Sequence, residues 1–126
     1  MILVDTSVWI GHLRRGDAHL AEILEQGEVQ SHPLVIGELA CGNLPRRKEM
    51  LALMSRLPMA PVASDTEALG FIEVNRLMGR GIGYIDVHLL ASSMLVAGTR
   101  LWTDDARLAG AARRLFVGYE PRSSQG

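Results

Sequence analysis

Ile2-Leu3-Val4-Asp5-Thr6-Ser7 runs from three β-prone apolar residues straight into an aspartate. A short unbroken apolar run of this kind reads as a strand buried on both faces of a parallel sheet. In open α/β sheets ligands bind outside the carboxyl ends of such strands, which is where Asp5 stands. Leu101-Trp102-Thr103-Asp104-Asp105 repeats the pattern late in the chain. If the two strands are parallel neighbours, their acids share one rim of the sheet. Taken singly, each aspartate is equally well read as a cap on the helix that follows it.

Between these strands the pattern alternates. A helix carrying Trp9, Ile10 and Leu13 follows the first strand, a second is expected over about Ala18 to Glu25, and Val29-Gln30-Ser31 offers a short strand. Pro33 suits a first helical turn, so Leu34 to Gly42 reads as a helix. Another covers about Arg47 to Arg56 and ends before Pro58, with a weak strand near Ala60-Pro61-Val62. Asp65 or Thr66 is expected to cap a helix with apolar positions Leu69, Ile72, Leu77 and Met78. The strongest helical segment, about Ile85 to Ala97, is stopped by Gly98. A helix over about Ala106 to Arg114 and a strand at Leu115-Phe116-Val117 complete the series. Strands alternating with helices predict an α/β sandwich around a mainly parallel sheet.

The chain has 126 residues, 48% of them hydrophobic, which is enough for one domain with its own core. No repeat or linker divides it, so residues 1–119 read as the domain and 120–126 as a short polar tail. Cys41, the single cysteine, cannot pair within the chain and lies in an apolar run; it reads as core filler in a reducing compartment. No apolar run nears the roughly 18 residues of a membrane span, and the first residues lack the basic start of a signal peptide. A cytoplasmic protein, with no membrane partner, is expected. Thirteen Lys plus Arg against fourteen Asp plus Glu give a formal charge of -1, unlike a dedicated nucleic-acid binder. Contact with nucleic acid would rest on a local basic patch or on metal ions.

Two further acids stand where carboxylates are costly. Glu38 is the only charge in Leu34-Val35-Ile36-Gly37-Glu38-Leu39-Ala40-Cys41, and a helix so apolar is mostly buried. A carboxylate kept there needs a cation, a metal or a raised pKa; the alternative is a solvent-facing Glu38 on a partly exposed helix. Asp86 lies in the first turn of Ile85-Asp86-Val87-His88-Leu89-Leu90-Ala91, where the helix dipole alone favours an acid. Together with Asp5 and the Asp104-Asp105 pair they make a cluster of like charges that repels itself without a divalent ion. Carboxylate oxygens suit Mg2+, or Mn2+ in its place, whereas His12, His19, His32 and His88 are scattered without ligand spacing.

Val4-Asp5-Thr6-Ser7-Val8-Trp9-Ile10, Gly37-Glu38-Leu39, the run from Gly79 to Asp86 with Ala91, and Leu101-Trp102-Thr103-Asp104-Asp105 resemble the PIN-domain signature in order and spacing, nearly from end to end. Within that family the chain is most similar to the VapC toxins. The resemblance implies a PIN-like three-layer α/β/α sandwich and a magnesium-dependent endoribonuclease, the toxin of a VapBC-type toxin-antitoxin pair. It implies that Asp5, Glu38, Asp86 and Asp105 form the acidic site, with Asp5, Asp86 and Asp105 as metal ligands. Asp105 takes the place of the family's Thr-x-Asp aspartate, while the middle position is itself an acid, Asp104, which leaves open which of the two approaches the metal. Thr6 and Thr103 match the polar neighbours of the acids; they hold the cluster by hydrogen bonds or merely satisfy local backbone. An RNA substrate, a VapB-type antitoxin that covers the acids with an arginine-bearing segment, and a homodimer are implied as partners.

Other signals point elsewhere or nowhere. Gly79-Arg80-Gly81-Ile82-Gly83 follows a helix and lacks the Gly-Lys-Ser/Thr ending of a P-loop, so Arg80 is either solvated or a reach toward a substrate phosphate. Arg14-Arg15 and Arg46-Arg47-Lys48 read as solvated faces. A receiver-like magnesium module would need a phosphoacceptor aspartate between Asp17 and Asp65 and a late lysine, but none lies there and the only lysine is Lys48. A PIN fold serving as a binding scaffold without nuclease activity is the remaining alternative, opposed by the intact acid set. RNA cleavage with and without magnesium separates the two.

Overall fold

β1 (Ile2–Val4) is the middle strand of a parallel sheet ordered β2 (Val29–Gln30), β1, β3 (Arg100–Trp102) in a computed structural model that describes residues 1–121. Of the tail expected at 120–126, only Glu120 and Pro121 fall among the described residues. Ile2, Leu3 and Val4 are all buried, as a strand covered on both faces requires. The register Leu3 to Leu101 and Val4 to Trp102 sets the carboxyl ends of β1 and β3 side by side. The Asp5 N–H continues that ladder, donating to the Trp102 carbonyl at 2.9 Å.

Single parallel bridges widen the sheet, Ser31 with Met59 and Leu101 with Gly118. The strands expected near Ala60 and at Leu115 to Val117 are reduced to these bridges. Phe116 gives the reason for the second. It adopts a left-handed φ of 62° and is 87% exposed, so the chain turns there and regains pairing only at Val117, whose carbonyl accepts from Leu101 N–H at 2.7 Å.

Among the described residues seven helices complete an α/β sandwich: α1 (Thr6–Arg15), α2 (Ala18–Glu25), α3 (Pro33–Cys41), α4 (Arg47–Arg56), α5 (Asp65–Asn75), α6 (Tyr84–Leu95) and α7 (Ala106–Arg114). α6 is the innermost, buried without a break from Val87 to Ser93, and both it and α7 pack on β3. No described helix is long and apolar enough to cross a membrane.

Three elements differ from the sequence reading. α5 is capped by Ser64, not Asp65 or Thr66: Ser64 Oγ accepts from Glu67 N–H and the Glu67 carboxylate accepts from Ser64 N–H, the reciprocal pair of a capping box. Of the expected apolar positions, Ile72 packs partly on the core and Leu77 is buried just beyond α5, whereas Leu69 and Met78 are exposed and the helix fully buries the small Ala68. α6 ends at Leu95, ahead of Gly98, which serves the turn into β3 with a φ of 87°. α3 buries only Val35 and Leu39, so Glu38 and Cys41 face water; Cys41 is not core filler. α3 fully buries only a narrow stripe at i and i+4, with Ile36 partly packed beside it, and composition cannot reveal that.

His32 caps α3 from inside the core. Its Nδ1 accepts the Leu34 N–H at 3.0 Å, which fixes the neutral tautomer with the proton on Nε2, donated to Ser92 Oγ at 3.1 Å. Burial, then the charge of His88, lowers its pKa from 6.5 to about 4. The unfolded chain takes up this proton as the pH falls below 6.5, whereas the folded one refuses it until about 4. Stability from His32 is therefore complete above pH 6.5 and is lost through the window from 6.5 to 4, by about 3 kcal/mol at the acid end. Chemical denaturation across that window should show the loss, and His32→Asn, which keeps a capping side chain and removes the proton site, should remove it. An equal loss in the variant would assign the acid sensitivity to other groups.

Candidate active site

Asp5 is fixed by its neighbours on the rim. It begins α1 without capping it through its side chain. Instead Oδ2 accepts the Ser7 hydroxyl at 2.8 Å and the Thr103 hydroxyl at 2.7 Å. With both hydroxyl protons so committed, Ser7 Oγ accepts from Asp104 N–H and Thr103 Oγ1 from Asp105 N–H, each at 3.0 Å. The residue is only 6% exposed, and Oδ1 takes no hydrogen bond among the described residues. Asp5 is thus a buried carboxylate with one bound and one uncommitted oxygen, and its side chain does not cap α1.

The other three acids, less buried, are also anchored through one oxygen each. Thr6 donates to Glu38 Oε1 at 2.6 Å, so the first turn of α1 reaches across to α3. Gly83 N–H, at the start of α6, donates to Asp86 Oδ2 at 3.2 Å. Asp105 Oδ1 accepts the Arg107 and Leu108 N–H groups at 2.9 and 3.0 Å, which makes it the N-cap of α7. In each case the second carboxylate oxygen has no hydrogen bond among the described residues, and no described Lys, Arg or His forms an ion pair with any of the four.

Electrostatics ties them together. Burial pushes the Asp86 carboxyl above the ordinary range, the Gly83 N–H pulls it down, and the charges of Asp5, Asp105 and Glu38 push it up again. Asp104 is absent from those charges; its side chain is exposed and only its main chain is engaged. Four like charges therefore converge from β1, α3, α6 and the β3–α7 turn with nothing among the described residues to neutralise them. They do not close into a cage: no three described His, Cys, Asp or Glu side chains stand close enough to hold a metal ion by themselves.

The PIN domain family matches residues 2–114, which includes all four acids and their hydroxyl partners. The chain is 51% identical over 111 residues to Ribonuclease VapC32 of Mycobacterium tuberculosis, in strain CDC 1551 / Oshkosh and likewise in strain ATCC 25618 / H37Rv, covering 88% of this chain and 90% of the relative. The chain belongs to the PIN-domain ribonucleases of the VapC family.

Seen as a PIN domain, the chain has one supporting residue that sequence reading passed over. Ser7 touches Asp5, Thr103 and the Asp104 amide at once and so joins the two strand ends. Its signal was the Asp-x-Ser spacing, which allows the later hydroxyl to fold back on the acid. That spacing is too common to single out before the β1–β3 pairing is known.

Proposed function

We propose that this VapC-family ribonuclease is a magnesium-dependent endoribonuclease and the toxin of a VapBC-type pair, hydrolysing RNA at Asp5, Glu38, Asp86 and Asp105. The observation that carries this reading is the set of four unpaired carboxylates, each anchored through one oxygen with the other uncommitted. The donor set fits a hard divalent cation, and its openness fits Mg2+ in particular, which takes one or two carboxylates and fills its remaining positions with water and substrate phosphate. Asp5 and Asp86 would hold the ion, with Mn2+ as a substitute, while Asp105 and Glu38 hold a second ion or orient water. Bound there, the cation would polarise the phosphodiester and offset its charge.

The protein's own groups perform the rest. Ser7 and Thr103 keep Asp5 from rotating, so its free oxygen stays on the rim. Thr6 fixes Glu38, leaving Oε2 to accept a hydrogen bond from the attacking water. Asp105 stays in place because turning away would uncap α7. Without a cation the acids would repel an RNA phosphate, so binding and chemistry should share one metal dependence.

Purified protein should cleave RNA with Mg2+ or Mn2+ and lose activity in excess EDTA; cleavage that survives chelation would sink the metal reading. A VapB-type antitoxin with an arginine segment would cover the same acids, since a planar guanidinium satisfies clustered carboxylates. Expression of the chain alone in the cytoplasm should slow growth, and the Asp5→Asn form should not. A homodimer fits the exposed apolar residues Leu69, Val74, Met94 and Leu95 on the packed pair α5 and α6. Sedimentation at micromolar concentration should show two copies, and a strict monomer would remove that part of the proposal.

A further inference from the structure

Next to the acid rim lies a cleft of about 300 Å³ lined by Arg80, Ala106, Arg107, Gly110, Ala111 and Arg114. None of its three arginines has a carboxylate within ion-pair distance among the described residues. Two are tethered at the end of α5: Arg80 Nε donates to the Arg76 carbonyl at 2.8 Å, and Arg114 Nη2 to the Asn75 carbonyl at 2.7 Å. Terminal helix carbonyls carry partial negative charge, so they hold guanidinium groups well. The third, Arg107, lies over Gly81, where an added Cβ would stand 2.8 Å from its Cδ and 2.7 Å from its Nη1. Gly81 also has a φ of 77°, so steric and backbone demands both keep that position bare.

The cleft is joined to the acid site through the chain. Arg107 is the second residue after Asp105, and the loop carrying Arg80 and Gly81 runs on to Gly83, whose N–H holds Asp86. We infer that Arg80, Arg107 and Arg114 form a subsite for a non-scissile phosphate of the RNA strand, flanking the phosphate that is cut. This rests on the ribonuclease reading given above. The guanidinium fork matches phosphate oxygens in pairs, and arginines already tethered lose less freedom on binding. A floor of Ala106, Gly110 and Ala111 offers no side-chain pocket, which favours a bare phosphate over an acidic peptide. In a chain of formal charge -1, this patch also supplies the local positive field that RNA contact needs.

The test uses Arg80→Gln, Arg107→Gln and the double variant, which keep the side-chain stems; Arg114 is left intact because it ties α7 to α5. With a single-stranded RNA substrate and Mg2+, the double variant should show a KM raised about tenfold or more, kcat within about twofold, and a shallower dependence of binding on salt, by roughly 0.7 per lost phosphate contact. Substrates with one neutral methylphosphonate linkage, moved along the strand, should reveal a position whose KM penalty in the wild type vanishes in the double variant. Unchanged KM and salt slope, with the wild type cleaving normally, would overturn the subsite and leave the ribonuclease reading intact. Competition by polyglutamate that depends on these arginines while RNA KM does not would overturn it in favour of an acidic protein partner. If the wild type fails to cleave, arginine-dependent RNA binding by anisotropy keeps the subsite and sinks the nuclease, whereas arginine-independent binding sinks both.

Discussion

Asp5→Asn should lower kcat for RNA cleavage by a thousandfold or more while the protein stays folded. The asparagine carbonyl can still accept the Ser7 and Thr103 hydroxyls that now bind Oδ2, so the junction between β1 and β3 survives. What changes is the other atom, where an amide nitrogen replaces an uncommitted carboxylate oxygen and repels a cation. A lost metal contact is worth several kcal/mol of transition-state stabilisation, hence the size of the effect. Calorimetry gives a second readout: Mg2+ should raise the melting temperature of the wild type and not of the variant, because a ligand stabilises only the state that binds it. Without metal the variant should be no less stable, since one of the charges repelling Asp86 is gone. Retained activity, or a collapse of the fold at neutral pH, would show that Asp5 is a structural acid.

Asp105→Asn is expected to remove most of the turnover, roughly a hundredfold or more, whereas Asp104→Asn should change it less than about threefold. The adjacent acids make a controlled pair. Asparagine caps a helix about as well as aspartate, so Asp105→Asn keeps the bonds to Arg107 and Leu108 and removes only charge. Both acids are exposed, but only Asp105 adds to the charge that raises Asp86. Equal losses from both substitutions would mean that net charge, not a particular ligand, matters. A crystal soaked in manganese decides between them directly: Asp105 should reach an ion at roughly 2.0 to 2.6 Å or through one bound water, and Asp104 in neither way.

Those acids were readable in the sequence because they interrupt apolar runs, and interruption is visible without coordinates. Ile2 to Val4 and Leu101 to Trp102 announced their strands by being too short and too apolar for anything else. Glu38 was selected by the same reasoning for a reason that fails: α3 is apolar in composition but buried only at Val35 and Leu39, and the exposed Glu38 is brought to the cluster by Thr6. Cys41 and Leu69 were misplaced alike, since apolar content does not say which side of a helix meets the core. The strand at Leu115 to Val117 was lost to one left-handed residue, Phe116, and no propensity foretells a positive φ at phenylalanine. Ser7 depended on a partner 96 positions away, Thr103, and only pairing of the strands reveals it.

That last separation bears on when the proposed site can form during synthesis. Thr103 and Asp5 are 98 positions apart in the chain, and Asp105 comes later still. A nascent chain that has extruded α1, β2 and α3 already carries Asp5, Ser7 and Glu38, yet it lacks Thr103, the second hydroxyl on Asp5, and β3, the strand that brings Thr103 there. Contacts of such span form late, because the loop between them must be closed before they give anything back. The proposed site therefore cannot assemble before Thr103 and Asp105 have been synthesised, and a chain halted short of them should cleave no RNA, the ribosome's own included.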